Sequence, residues 1–133
     1  QWGCAGKYVW ARNVGGTDRD FDDSVAVDAS GNVYTTGYFQ GTADFNPDPA
    51  TTANLTATLP GLQDIFVSKL DSSGECVWAK MLDDPTGGIG YSVAVDSSGN
   101  VYTIGVVEGT VDFDPGSGTA TLTSNGSYAV FVS

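Results

Sequence analysis

The side chains able to do chemistry in this chain are almost all carboxylates. Sixteen Asp and Glu stand against five Lys and Arg, histidine is absent, and the two cysteines are Cys4 and Cys76. Without histidine the chain has neither the commonest general base nor the commonest transition-metal ligand, and neither thiol has an imidazole to activate it as a nucleophile. The densest acidic run is Asp18, Asp20, Asp22 and Asp23. It reads as a solvated loop, or as the contact face for a cation or basic ligand. Two other runs, Asp44-Phe45-Asn46-Pro47-Asp48 and Asp112-Phe113-Asp114-Pro115-Gly116, alternate oxygen-bearing side chains. Calcium takes six to eight oxygen ligands, so Asp44, Asp48, Asp112 and Asp114 are the candidate metal ligands. Neither run completes an Asp-x-Asp-x-Asp-Gly loop with its distal Glu, and turn chemistry around proline accounts for both more simply. Glycoside hydrolysis needs two carboxylates at a defined separation, but nothing sets one pair apart. No catalytic residue is assigned, the chain is expected not to be an enzyme, and no cofactor is expected, Ca²⁺ being the alternative.

The formal charge of −11 repels phosphate backbones, whose binding depends on clusters of Lys and Arg. Nucleic acid and anionic membranes are therefore poor partners, and cations or cationic partners better ones. Solubility is the plainer reading of the same charge. No stretch approaches the roughly 20 apolar residues of a membrane span, and Gln1-Trp2-Gly3-Cys4 has neither the basic nor the apolar region of a signal peptide. Two cysteines do not form a disulfide framework. Cys76 falls in an expected strand as a free buried thiol, and Cys4 could crosslink chains.

What positions these groups is a repeat. Ser24-Val25-Ala26-Val27-Asp28-Ala29-Ser30-Gly31-Asn32-Val33-Tyr34-Thr35 returns as Ser92-Val93-Ala94-Val95-Asp96-Ser97-Ser98-Gly99-Asn100-Val101-Tyr102-Thr103, 68 residues later. Such self-similarity marks a repeat architecture. Residues that recur maintain the copies: Trp10 with Trp78, Tyr34 with Tyr102, Phe45 with Phe113 and Phe66 with Phe131 are expected to pack between units. Asp28 and Asp96 are expected to accept bonds from turn amides, and Gly31 and Gly99 to supply positive φ. The acidic run does not recur, since its counterparts are Thr86, Gly88, Gly90 and Tyr91.

Four strands are read in one copy: Ser24 to Asp28, Val33 to Phe39, Ile65 to Leu70 and Glu75 to Leu82. Short apolar runs joined by Ser-Gly and Gly-Asn punctuation are hairpin signals. A four-stranded, antiparallel, up-and-down unit repeated along a chain predicts an all-β fold of β-propeller blades. Residues 1–14 read as an outer closing strand, 15–82 as a complete blade and 83–133 as a three-stranded partial blade. Ser68 to Trp78 spans ten positions, and so does Ser133 to Trp10 of a following copy. Head-to-tail copies therefore stay in frame, and two blades cannot close a ring alone. Either identical chains complete one propeller, or this is a segment of a longer protein; the expected state is a homo-oligomer, a trimer of six blades or a tetramer of eight, closed by strand sharing between chains. The connections after strands one and three are short and alike. Those after strands two and four are long and divergent, and binding residues concentrate on such loops.

"DASGNVYTTGYFQGTADFNP" (28–47) and "IFVSKLDSSGECVWAK" (65–80) resemble the bacterial SBBP-type β-propeller repeat, with its pattern D-x-S-G-N-V-Y-x-x-G followed by F-V-x-K-L-D-x-x-G-x-x-x-W. The resemblance covers almost the whole chain. It implies a propeller of exported or cell-surface bacterial proteins, hence an extracellular or cell-surface location for the parent protein, and it implies no activity. The expected function is a non-enzymatic structural or interaction scaffold. The alternative is an exported propeller that binds carbohydrate or Ca²⁺ through its long-loop face.

Overall fold

The computed structural model describes Gly6 and residues 8–133. The described residues form no helix. Twelve strands run in chain order: β1 (Gly15–Gly16), β2 (Asp20–Val27), β3 (Val33–Gln40), β4 (Thr42–Asp44), β5 (Asn54–Thr56), β6 (Gln63–Leu70), β7 (Cys76–Leu82), β8 (Ile89–Val95), β9 (Val101–Val107), β10 (Thr110–Asp112), β11 (Thr121–Thr123) and β12 (Ala129–Val132). The first blade is the antiparallel sheet β2-β3-β6-β7, and the second comprises β8, β9 and β12 in the same arrangement. Between the second and third strands of each blade the chain makes a small hairpin, β4-β5 or β10-β11. β1 adds to the first hairpin through Gly15 opposite Asp44. The second hairpin meets the chain at the corresponding place through Asp83 opposite Asp112.

The recurring turn explains the recurring sequence. Asp28 Oδ1 accepts the Ser30 and Asn32 amides at 2.9 and 3.0 Å, and its Oδ2 accepts Asn32 Nδ2 at 2.7 Å and the Tyr34 hydroxyl at 3.1 Å. Asp96 takes the same four donors from Ser98, Asn100 and Tyr102 at 2.8–3.2 Å. The β6-β7 turn uses Asp71 in the same way, holding the Ser73 and Glu75 amides at 2.8 and 3.0 Å. Gly31, Gly74 and Gly99 occupy these turns at φ +81°, +82° and +83°, a region costly for residues with a Cβ. The Gly of the V-Y-x-x-G run has another cause. β2 and β8 each carry a bulge, at Asp22/Ser24 and Gly90/Ser92. A methyl on Gly37 or Gly105 would overlap the carbonyl of Phe21 or Ile89 across it.

The core lies between layers and repeats with the sequence. Phe39, Ala43, Phe45 and Phe66 form one buried cluster, joined by Val14. Val107, Val111 and Phe131 form the other, joined by Phe113, with Leu82 and Ile65 contributed by the first blade. Position by position these are the same cluster, Leu82 standing where Val14 stands. The Phe45 and Phe66 rings are tilted at 4.6 Å between centroids, and Phe113 and Phe131 repeat that at 4.8 Å. Residues 9–14 form no strand among the described residues, although Val9-Trp10-Ala11-Arg12 matches Val77-Trp78-Ala79-Lys80 of β7. A strand needs a ladder partner, and the edge that β7 pairs with in the first blade, β6, is already occupied by it.

Truncating a ring at the centre of a cluster removes both transfer energy and packing. Phe66→Ala should cost about 3–5 kcal/mol of unfolding free energy. Leu122→Ala, at an exposed position, should stay within about 0.5 kcal/mol. Urea unfolding of the two variants beside the parent chain measures both.

Candidate functional site

The carboxylates singled out by their spacing are engaged by the backbone. Asp44 Oδ1 accepts the amides of Asn46 and Ala53 at 2.9 and 2.8 Å, and Asp48 Oδ1 that of Ala50 at 2.9 Å. In the second copy Asp112 Oδ1 accepts from Asp114 and Ala120 at 3.0 and 2.8 Å, and Asp114 Oδ1 from Gly116 at 2.7 Å. These are side chains closing successive turns. The Ala120 and Asp114 amides hold the Asp112 carboxyl below the usual carboxylate range.

The acidic run does not converge either. Asp18 lies against Gly41, Asp20 Oδ2 accepts the Gly16 amide at 2.7 Å, and Asp22 reaches toward Thr35. Asp23 is the residue passed over by the bulge of β2. Partial desolvation, then the neighbouring charge of Asp23, raises the Asp22 carboxyl. Among the described residues no three His, Cys, Asp or Glu side chains are gathered as a metal would require. Asp20 and Asp22 do line a cavity of about 50 Å³ with Val14, Phe45 and Phe66. Cys76 is free and half-buried. Desolvation, then the charge of Asp44, raises its thiol, away from the thiolate a nucleophile needs. Cys4 lies outside the described residues.

The most buried acids escaped the sequence reading. Asp64 and Asp84 are both fully buried. Asp64 Oδ2 accepts the amide and hydroxyl of Thr58 at 2.7 and 2.8 Å, and the same hydroxyl also lies 2.7 Å from Asp83 Oδ1. Burial pushes the Asp64 carboxyl up. Asp84 Oδ1 accepts the amide and hydroxyl of Thr86 at 2.9 and 2.6 Å, and that hydroxyl also contacts the carbonyl of Glu108. A signal was present in the sequence. At the offset of 68 the pair Gly16/Asp20 becomes Asp84/Gly88, so one carboxylate is supplied from opposite ends of the same bend. Asp20 Oδ1 and Asp84 Oδ2 are the buried side-chain atoms without a hydrogen-bond partner among the described residues. The two blades thus share this feature through different residues.

The largest contrast between equivalent positions of the two blades is apolar. Within the chain, the first blade packs on the second chiefly through its inner strands: β8 lies against β2 and β3, and the Val93 amide donates to Ser24 Oγ at 3.2 Å. Tyr34, Thr36 and Ile65 face that junction at 1%, 0% and 0% exposure, while their counterparts Tyr102, Ile104 and Val130 stand open at 47%, 43% and 78%. From the other side Val93 is buried at 6% and its counterpart Val25 is exposed at 62%. Among the described residues, these positions have no neighbouring blade over them as their counterparts at the interior junction do.

No family model matches this chain, and no solved structure matches it. A protein of Acanthamoeba polyphaga mimivirus, described as an uncharacterized WD repeat-containing protein, is 25% identical over 112 residues, covering 73% of this chain and 8% of that relative. The chain therefore spans only a small part of the relative's length. The likeness suits a repeat, propeller-like architecture. It does not reach the finer SBBP type.

The buried Asp64 gives a pH signature of known sign. A carboxyl raised in the folded state binds more protons than in the unfolded chain, so its contribution to stability falls as pH rises above the ordinary carboxylate value. Asp64→Asn keeps an acceptor for Thr58 and removes the charge. Thermal melts from about pH 4 to pH 7 should show the variant gaining on the parent chain as pH rises. A constant difference would mean that Asp64 does not titrate in that window.

Proposed function

We propose that this chain is a non-enzymatic β-propeller repeat module that assembles from identical two-blade copies into a ring of six or eight blades and serves as a structural or interaction scaffold. The observation that carries this reading is the contrast between equivalent positions. Ile65 is sealed at the interior junction, while Val130, in the same place one blade on, is open to solvent. A blade face built of Tyr, Ile and Val has the composition of a buried surface, and contiguous apolar patches on such a surface mark interaction sites. The surface best matched to it is the one already seen to cover its equivalent, the opposite face of another blade, where Val25 and Val27 lie exposed. A head-to-tail contact of this kind generates a ring when its rotation closes.

The chemistry of the acids favours a scaffold over an enzyme. Asp28, Asp44, Asp71, Asp96 and Asp112 each hold two backbone amides, which is sufficient reason for their presence.

Light scattering on the purified chain should give three or four times the 13.7 kDa of one copy. A folded species at 13.7 kDa would overturn the assembly. Replacing Ile104 and Val130 by lysine, both exposed in the single chain, should leave the fold intact by circular dichroism and shift the mass to that of one copy.

A further inference from the structure

Resting on the assembly proposed above, we infer which segment joins the copies: residues 8–14 of one chain form the fourth strand of the second blade of its neighbour, antiparallel to β12. The register follows from the complete blade. There Ile65, Phe66, Val67 and Ser68 lie opposite Leu82, Met81, Lys80 and Ala79. Carried through the repeat, Val130, Phe131, Val132 and Ser133 lie opposite Val14, Asn13, Arg12 and Ala11 of the neighbouring copy.

Two features of the structure fit together in this arrangement. The first is an open edge beside a groove. Among the described residues β12 pairs with β9 alone, and Val130 and Val132 stand exposed on it. Alongside runs a groove of about 240 Å³ between Trp78, Lys80 and Leu82 of β7 and Val101, Thr103 and Ser133 of the second blade. An edge of unpaired amides and carbonyls is a template for another strand.

The second is a segment with the sequence of a fourth strand, already seated on the first blade as β7 is seated on the second. Val14 packs with Phe39, Phe45 and Phe66, as Leu82 packs with Val107, Phe113 and Phe131. The Trp10 indole donates to the Ser72 carbonyl at 3.0 Å, and Arg12 donates to the Gly74 carbonyl at 3.0 Å and pairs with Glu75 at 2.7 Å. These contacts hold residues 10–14 against the outside of the first blade. A preceding blade would bring its third strand to the same place. In a head-to-tail ring that third strand is β12 of the neighbour, so one repetition of the interior junction brings edge and segment together.

The inner lining adapts to the second copy. Ile65 fits between the blades because Gly88 and Gly90 face it: a methyl added at either would come within 2.8 or 2.9 Å of its side chain. The residues equivalent to these glycines are Asp20 and Asp22. The residue equivalent to Ile65 is Val130, one carbon smaller, and the cavity beside Asp20, Asp22, Phe45 and Phe66 lies where it would enter.

Directly opposed residues of an antiparallel pair have Cα atoms about 4.5–5.5 Å apart, within the range a disulfide spans. With Cys4→Ser and Cys76→Ser as background, Ala11→Cys combined with Ser133→Cys should oxidise, at dilute protein concentration, into covalently linked copies ending at a trimer or tetramer. Ala11→Cys combined with Val130→Cys, three residues out of register, should remain reduced. Rings seen by light scattering without the Ala11–Ser133 crosslink would overturn the strand assignment and leave the assembly standing. That is also the result if a further segment of a longer parent chain occupies the β12 edge. Equal crosslinking of both pairs would overturn the register. Single copies throughout would overturn the assembly itself.

Discussion

A blade in this protein has two apolar faces, and among the described residues only the faces at the interior junction have another blade over them. That constraint organises the rest. The interior junction buries Ile65, Leu82, Val93, Val107, Val111 and Phe131 from both sides, each side chain contributing on the order of 1.5–3 kcal/mol by leaving water. On the faces that look away from the junction, Phe39, Phe45 and Phe66 are buried by the first hairpin and Val14, while Val25, Tyr102, Ile104 and Val130 stand open. A repeat unit is stable only when stacked, and the residues that recur in this sequence include those that stack its two blades.

The acidic composition belongs to the same economy of structure. At each Asp-Ser-Gly turn one carboxylate gathers two backbone amides, and Asp28 and Asp96 add an asparagine amide and a tyrosine hydroxyl. Hydrogen bonding to the charged form lowers a carboxyl pKa, and Asp28 and Asp96 are lowered first by Asn32 and Asn100, and Asp71 by the Glu75 amide. Asp64 and Asp22 move the other way because burial outweighs the bonds they receive. The sign of each shift thus separates acids that fasten turns from Asp64, enclosed in the core, and from Asp22, which stands beside the charge of Asp23.

Most of the fold was legible because its signal was long-range identity rather than local propensity. The offset of 68 placed all four strands of the first blade to within a few residues of β2, β3, β6 and β7. The small hairpins β4-β5 and β10-β11 were not read: three-residue strands inside polar loops carry no period. Recurrence misleads in one respect. It treats Tyr34 and Tyr102 as equals, but burial depends on the next blade as well as on the residue, and only Tyr34 has one over it. Asp64 and Asp84 were missed for the opposite reason. Their counterparts are Ala129 and Gly16, so neither recurs, and an enclosed carboxylate has no sequence signature beyond an exchange with glycine elsewhere in the alignment.

That exchange bears on how copies would recognise one another. Inside the chain the junction is lined by Gly88 and Gly90, which admit Ile65 closely and leave little polar surface to desolvate. The corresponding lining on the outer face of the first blade is Asp20 and Asp22, with the Asp22 carboxyl already raised before any neighbour arrives. A ring of these chains would therefore alternate two kinds of junction, one dry and closely packed, the other edged with carboxylates that resist further burial while charged. Association through the second kind would be weaker per unit of apolar area. The residues that break the repeat are those that would tell the joint within a chain from the joint between chains.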